Sequence, residues 1–487
     1  MSTQQSLTQR SIVSVKWNAI ANVLTFVLSF FGAIVLARKL PVATFGIYAA
    51  ATAVVQLASI VSDFGFGSAF LHRSPETLDL EQAAPSHFTI NSLFTLGWLI
   101  LMFAGVSIFL DATQAELRLA LSVLIIGEVV EELTQTNRMI LVRQVQHRRL
   151  AFMQMVDSIL SVLASIGLAL AGFGIWALLI NDILDAVTKV FFFWLWRPSW
   201  RPSLRWDRAA IRYFLRFGSQ TFVGRFILEG LDRFDDIWTA IYLGNTQLGY
   251  YSRAFRFATY PRSFIAYPIY QVASGVYSEL KGDRKRLSTA FMQINSFMVR
   301  SGFLLAGLIA LVAPEFIRIA LGDKWLPMLT AFQLMLVFTL FDPVKQTMAN
   351  LFLALGLPGE VIWFRFIQLL VMIAGLFLLG FRFGIEGVAL AVDIMLVVGM
   401  VLMLWRSKTY VDYSLRRLLV VPTVALFAGL AAGLGAVHWP NLIWSDWLSG
   451  IVKSILFVVI YSVILILWDR QQVKETWLLV RQNLMKG

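Results

Sequence analysis

Fourteen apolar stretches, each long enough to cross the hydrocarbon core of a membrane, restrict this chain more than any other feature. Hydrophobic residues make up 58% of its 487 residues, charged residues only 14%, and the mean hydropathy is +0.72. A bilayer core requires about 20 helical residues per crossing, and backbone groups inside it must be bonded within the protein. Because the stretches lack the alternating pattern of a membrane barrel, they predict an all-α polytopic membrane protein with about 14 transmembrane helices.

The chain also contains an internal repeat. Four groups of residues recur in the same order: Leu40, Phe45, Gly46 and Tyr48 as Leu243, Leu248, Gly249 and Tyr251; Ile90-Asn91-Ser92 as Ile294-Asn295-Ser296; Glu131, Gln135 and Thr136 as Asp342, Gln346 and Thr347; Phe173-Gly174-Ile175 as Phe383-Gly384-Ile385. Many secondary transporters are built from such duplications. The repeat predicts two pseudo-symmetric six-helix lobes, 1–196 and 212–405, joined by a basic linker, 197–216, and followed by two further helices and a tail, 406–487.

The distribution of lysine and arginine predicts the orientation. Cytoplasmic connections retain these residues, and with the N-terminus inside, the outer connections carry only Arg38, Lys39, Arg118, Arg318, Lys324 and Arg382. An even number of spans then places both termini in the cytoplasm. The net charge of +12 follows from this topology. We therefore expect the basic linker to contact anionic lipid headgroups, and we expect the chain to bind no nucleic acid.

Several functional classes lack their usual sequence features. The chain has no cysteine, its four histidines lack metal-ligand spacing, and no phosphate-binding P-loop occurs. We therefore expect no cofactor and no metal, and energy from a proton or sodium gradient. The short acidic outer connections, 111–116 and 315–323, leave little room for the acid–base chemistry of a glycan polymerase or ligase, so an enzyme is the remote alternative.

Ionisable residues inside spans are costly unless they face a partner or a hydrated cavity, so they are the candidate functional residues. The seventh span concentrates them: Arg225, Glu229, Asp232 and Asp236 share one helical face. Two readings remain open for this span, a direct functional role and a structural ion-pair network. The predicted network comprises Glu229, Asp232, Arg233, Asp235 and Asp236.

The eighth span adds arginines among aromatic residues. At the repeat-related positions of Arg253 and Arg256 the first lobe has Ala50 and Ala53, so the second lobe carries charge that the fold does not require. Arginine binds phosphate through its planar fork, and aromatic faces stack on sugars. The predicted substrate-binding residues, suited to an anionic group such as a diphosphate, are Arg225, Arg253, Arg256, Arg262, Arg300, Lys345, Tyr260 and Tyr267.

Carboxylates in the spans are candidates for binding a coupling ion, because a buried carboxyl group can exchange a proton near neutral pH. The predicted ion-coupling candidates are Asp63, Glu131, Asp157, Asp182, Asp342 and Asp393. Glu131 with Asp342, and Asp182 with Asp393, occupy repeat-related positions. A position that is acidic in both lobes is equally compatible with a role in packing.

Three runs of residues carry a resemblance to a known family. Leu36-Ala37-Arg38-Lys39-Leu40-Pro41, Phe45-Gly46-Ile47-Tyr48 and Asp63-Phe64-Gly65-Phe66-Gly67 resemble the opening signature of the polysaccharide transporter family. This family holds the Wzx-type oligosaccharide flippases of the multidrug/oligosaccharidyl-lipid/polysaccharide superfamily. In the second lobe Asp236-Ile237, Leu243-Gly244 and Leu248-Gly249-Tyr250-Tyr251-Ser252 are similar to the counterpart of that signature.

The resemblance implies a V-shaped pair of lobes that moves an undecaprenyl-diphosphate-linked oligosaccharide from the inner to the outer leaflet by alternating access, coupled to an ion gradient. Polysaccharide polymerase machinery is then a possible partner. Two alternatives belong to the same superfamily. A lipid-linked peptidoglycan precursor flippase would be expected to show an arginine and an aspartate where this chain has Lys16-Trp17-Asn18, and a multidrug or organic cation antiporter would favour an acidic cavity.

Overall fold

The computed structural model describes residues 7–72, 80–437 and 446–468. Within these ranges the chain is helical and contains no β-strand, which confirms the predicted fold class. Two compact units are formed, Met1–Gly249 and Tyr250–Gly487. The lobe boundaries drawn from the sequence stay a prediction.

The described residues of the first unit form nine α-helices and the start of a tenth. Their bounds are α1 Leu7–Lys39, α2 Val42–Ala58, α3 Ile60–Asp63, α4 Phe66–His72, α5 Leu80–Phe109, α6 Ala115–Arg143, α7 His147–Leu170, α8 Trp176–Val190, α9 Arg208–Tyr242 and α10 Asn245–Leu280. A π-helical turn, Phe191–Leu195, extends α8. The predicted second stretch, 43–71, is thus divided into α2, α3 and α4.

The second unit contains the rest of α10 and six further helices. Their bounds are α11 Arg284–Phe316, α12 Leu329–Ala354, α13 Pro358–Gly375, α14 Phe381–Ser407, α15 Val421–Val437 and α16 Asp446–Trp468. π-Helical turns Ile317–Leu321, Leu376–Gly380 and Arg416–Val420 adjoin α11, α13 and α15. A buried core formed by α10–α16 includes Phe291, Met348 and Phe457.

Each of the fourteen predicted stretches lies on helix, and eight helical segments of the described chain are long and apolar enough to cross a membrane. One of the eight, Pro358–Ser407, contains both α13 and α14. The charged helices α9 and α10 are not among them, because arginine and carboxylate side chains lower their hydropathy. The chain is therefore a multi-pass membrane protein, and the number of fourteen crossings stays a prediction.

Backbone geometry supports the internal repeat. Gly174 and Gly384, which are repeat-related, have nearly the same left-handed φ angles of 54° and 59°. Residues other than glycine rarely adopt this backbone conformation. Both glycines stand close to the start of a helix, α8 in the first unit and α14 in the second. The repeated Phe-Gly-Ile sequence thus has a left-handed glycine in both halves of the repeat.

Buried hydrogen bonds join equivalent helix pairs in the two halves of the repeat. In the first unit the Asn91 side chain donates from α5 to the carbonyl of Glu132 on α6 at 2.7 Å. In the second unit the hydroxyl of Thr347 on α12 donates to the side chain of Asn295 on α11 at 2.5 Å. Asn91 and Asn295 are repeat-related, and both are fully buried. The repeat-related asparagine therefore connects equivalent helices in the two halves, α5 with α6 and α11 with α12.

Two repeat-related glycines allow α2 and the start of α10 to approach at backbone distance. A Cβ atom at Gly46 would overlap the carbonyl oxygen of Asn245, and one at Gly249 would overlap the carbonyl oxygen of Val42. All four residues belong to the first unit. Because each glycine meets backbone, neither contact can be relieved by moving a flexible side chain.

We expect Gly46→Ala to destabilise the protein by about 1–3 kcal/mol, the usual cost of overpacking a fixed contact. The measurement is thermal unfolding of the purified protein in detergent, followed by tryptophan fluorescence. Gly105→Ala is the matched control, because nothing lies within 4 Å of a Cβ atom at this helical position. Equal unfolding temperatures for the two variants would contradict the close approach of α2 and α10.

Candidate functional site

A break in the helix after α3 positions the first candidate residue, Asp63. Phe64 and Gly65 have φ angles of 41° and 82°, and the chain resumes as α4 at Phe66. The break lies against α9, since a Cβ atom at Gly218 would overlap the carbonyl oxygen of Phe64. Interrupted membrane helices expose polar groups where a transporter needs them. Here the break brings the carboxylate at the end of α3 to the surface of α9.

Asp63 forms an ion pair with Arg225 of α9. Its second oxygen accepts a hydrogen bond from the Gln135 side chain of α6 at 3.2 Å. The carboxylate is only 13% exposed, whereas the Arg225 side chain is 36% exposed. The structure thus combines a predicted ion-coupling residue with a predicted substrate-binding residue. Both roles stay predictions.

A second charged cluster of the first unit joins α6 to α8. Glu131 forms ion pairs with Lys189 of α8 and with Arg138, the latter at 2.8 Å. Lys189 also contacts Asp185 at 2.5 Å. Lys189, which the sequence reasoning missed, is the central cation of this cluster. Its position four residues after Asp185 within a span was the signal that could have identified it.

The remaining candidate carboxylates of the first unit accept hydrogen bonds from uncharged hydroxyl donors. Asp182 accepts from the Tyr48 hydroxyl of α2 at 3.0 Å. Asp157 of α7 accepts from Ser161 at 3.3 Å and from Thr188 of α8 at 3.2 Å. Hydroxyl donors stabilise a carboxylate without neutralising it. Asp157 and Asp182 therefore retain more capacity for a proton or cation than Asp63 does.

One ion pair of α9 joins two residues of the predicted network, and the network itself stays a prediction. Arg233 lies 3.9 Å from Asp236, one helical turn away, and Asp235 is 7% exposed. The long separation marks a weak pair. The participation of Glu229 and Asp232 in this network stays a prediction.

The predicted arginines of α10 differ in burial. Arg253 is 5% exposed, whereas Arg256 lies at the surface of the second unit and donates a 3.2 Å hydrogen bond to the Tyr260 hydroxyl. Arg256 and Tyr260 thus form a joint cation and aromatic surface, the combination predicted for a phosphorylated sugar. The side chains of Arg262 and Tyr267 lie outside the part of the chain that is described.

The other predicted residues of the second unit lie on α11, α12 and α14. Lys345 and Asp342 are 3.1 Å apart on α12 and both nearly buried. Arg300 of α11 is 8% exposed, and its carbonyl accepts a 2.8 Å hydrogen bond from Tyr461 of α16. Asp393 of α14 is 7% exposed, and its Oδ1 atom has no hydrogen-bond partner among the described residues.

A further buried ion pair was not foreseen from the sequence. Lys453 of α16 lies 2.6 Å from Glu315 of α11, and Ser449 donates to the same carboxylate at 3.0 Å. Both charges are almost completely buried. The pair therefore joins α16 to α11 within the second unit. Across the described residues, no group of three or more histidine, cysteine and acidic side chains could hold a metal ion.

Comparison with known proteins gives concordant results. Residues 35–330 match the sequence profile of a family described as polysaccharide biosynthesis protein. The chain is 24% identical over 362 residues to the lipopolysaccharide biosynthesis protein WzxC of Escherichia coli, covering 72% of this chain and 71% of that protein. It is 28% identical over 335 residues to the succinoglycan biosynthesis transport protein ExoT of Rhizobium meliloti, covering 64% and 63%, slightly less than two thirds of ExoT.

A solved structure shares the fold. The chain superimposes on the inward closed conformation of the lipid II flippase MurJ with a TM-score of 0.77, covering 94% of this chain and 99% of that structure. The sequence identity is 15%. At this identity the likeness concerns the arrangement of helices.

The Asp63–Arg225 pair should be tested by exchanging its charges. We expect Asp63→Arg and Arg225→Asp each to lower stability by about 1–3 kcal/mol, because each leaves two like charges facing one another in a partly buried position. The double exchange should recover most of the loss, as measured by thermal unfolding in detergent. Arg138→Gln, at a half-exposed position, serves as the control. Additive losses in the double variant would show that the two residues do not interact.

Proposed function

Because the chain belongs to the polysaccharide biosynthesis protein family, the polysaccharide transporters of the multidrug/oligosaccharidyl-lipid/polysaccharide superfamily, we propose that it flips an undecaprenyl-diphosphate-linked oligosaccharide. The glycan is a repeat unit of a surface polysaccharide, and it moves from the inner to the outer leaflet of the bacterial inner membrane. The observation that carries the proposal is the family match over residues 35–330. The similarity to named polysaccharide transport proteins supports it.

The chemistry of the substrate explains why such a protein is needed. Sugar hydroxyls and a diphosphate are strongly hydrated, so their transfer through hydrocarbon is prohibitively costly. A flippase provides a polar path for the headgroup while the isoprenoid chain stays in the lipid. In the proposed mechanism Arg253 and Arg256 bind the diphosphate, with Tyr260 beside them for the first sugar. Arginine suits this task because its planar fork can donate two hydrogen bonds to one phosphate group.

Transport is proposed to proceed by alternating access, coupled to a proton or sodium gradient. Asp182, Asp157 and Asp393 are the preferred coupling residues, because no cationic partner neutralises them in the pairs described above. A carboxylate in an apolar setting favours taking up a proton or cation. The chain works here as a secondary transporter, without catalysis, and both of its termini face the cytoplasm.

The proposal is tested by reconstituting the purified protein into vesicles with a labelled undecaprenyl-diphosphate oligosaccharide. A membrane-impermeant reagent then reports how much glycan reaches each leaflet, with proton and sodium gradients imposed in turn. Faster equilibration than in protein-free vesicles supports the flippase, and dependence on one gradient identifies the coupling ion. Efflux of an organic cation without movement of the glycan would instead indicate a drug exporter.

The role of α10 gives a prediction at a single residue. Arg256→Gln should slow glycan transfer about tenfold, because it removes one charge-assisted contact with the diphosphate. The same vesicle assay measures this rate, and fluorescence-detected gel filtration verifies that the variant folds. Arg382→Gln removes another exposed arginine of the second unit and should transport normally. Equal rates for the two variants would exclude Arg256 from the substrate path.

A further inference from the structure

The second unit contains a basic cavity that the proposed transport mechanism does not use. Its volume is about 680 Å³, within the range of ligand-binding pockets. α11 forms one wall, and the connection from α14 to α15 forms the other. The cationic side chains that line it are Arg284, Lys285, Arg300 and Arg417, against a single carboxylate, Asp412.

Two of the lining residues build the cavity. Arg284 donates to both oxygens of Asp412, at 2.8 and 3.2 Å, and to the carbonyls of Lys408 and Thr409. These hydrogen bonds lower the pKa of Asp412 below its ordinary value and keep the carboxylate charged. The backbone N–H of Asp412 donates in turn to Ser288 of α11 at 2.8 Å. Since Arg284 neutralises Asp412, the cavity retains the positive charges of Lys285 and Arg417 at its mouth.

A polar stripe along α11 continues from the mouth of the cavity into the membrane span. Lys285, Thr289, Ser296 and Arg300 line the cavity and recur at the spacing of one helical face. From Lys285 to Arg300 this face is about 22 Å long at the rise of an α-helix. The helix belongs to a candidate membrane span, Arg284–Leu321. A polar face at this depth is costly unless a polar group covers it.

Ser296 independently indicates a ligand. Its side chain is 2% exposed, and its hydroxyl has no hydrogen-bond partner among the described residues. Buried hydroxyl groups normally have a hydrogen-bond partner, because an unsatisfied hydroxyl loses its hydration without gaining a bond in return. The hydroxyl lines the cavity one turn before Arg300.

We propose that this cavity binds the phosphate ester headgroup of an anionic membrane lipid. Lys285 and Arg417, both exposed, contact the phosphate at the mouth, and Ser296 and Arg300 bind polar groups deeper along α11. Basic pockets between membrane helices bind anionic headgroups in this way. The cavity opens at the end of a membrane span, and Met292 and Tyr413 add apolar surface to its wall, which favours a lipid over a soluble phosphate. The site does not depend on the nature of the transported substrate.

The test measures lipid retention by the full-length protein in detergent, using native mass spectrometry with phosphatidylglycerol and phosphatidylcholine as probes. We expect preferential retention of phosphatidylglycerol and its reduction about tenfold in the double variant Lys285→Gln/Arg417→Gln, since two charge-assisted contacts are lost. The matched control is Arg286→Gln/Arg416→Gln. It removes the same charge at the neighbouring positions, which do not line the cavity, and should retain phosphatidylglycerol like the unchanged protein.

Three outcomes decide the proposal. Lower retention in Lys285→Gln/Arg417→Gln than in the control, with a smaller loss in Ser296→Ala, supports a lipid headgroup site. Equal retention in the two double variants overturns it. Displacement of phosphatidylglycerol by an equal concentration of inorganic pyrophosphate assigns the site to a soluble phosphate and overturns the lipid as its occupant. All four substituted basic residues are exposed, so these variants should fold.

Discussion

A charge inside an apolar helix bundle is costly unless the protein supplies a partner for it, and three such ion pairs connect helices of this chain. Asp63 pairs with Arg225, Glu131 with Lys189 and Glu315 with Lys453, and each pair joins two different helices. An unpaired charge at these depths would cost several kcal/mol. The pairs therefore restrict which neighbours a helix accepts, whereas apolar contacts between membrane helices are far less selective.

The charged residues proposed for transport differ in whether they already take part in an ion pair. Arg225, Lys345 and Glu131 each have an ionic partner within their own unit, so using them for transport would first require breaking a pair. Arg256 with Tyr260 lies at the surface of its unit, and Asp393 is buried without a bond to its Oδ1 atom among the described residues. The proposed roles of Arg256 in substrate recognition and of Asp393 in ion coupling would leave these three ion pairs intact.

Sequence reasoning predicted what depends on local pattern. The apolar stretches predicted the helices, and the repeated Phe-Gly-Ile predicted that the two halves correspond, as the similar φ angles at Gly174 and Gly384 indicate. It did not predict that Asp63 would meet Arg225, because residues 162 positions apart are brought together only by tertiary packing. Division of the second stretch after Asp63 was missed for a related reason: apolar residues continue through Phe64 and Phe66, and only Gly65 indicates the break.

The most direct test of diphosphate recognition compares two substrates that differ by one phosphate group. One labelled oligosaccharide is linked to undecaprenol through a diphosphate or through a monophosphate, and the rate at which each reaches the far leaflet is measured in vesicles containing the protein. If the arginines of α10 recognise the diphosphate, the monophosphate-linked glycan should move about tenfold more slowly. The reason is that at least one charge-assisted contact with a phosphate group is lost. Equal rates would contradict this recognition, and the absence of transfer for both substrates would contradict the proposed flippase.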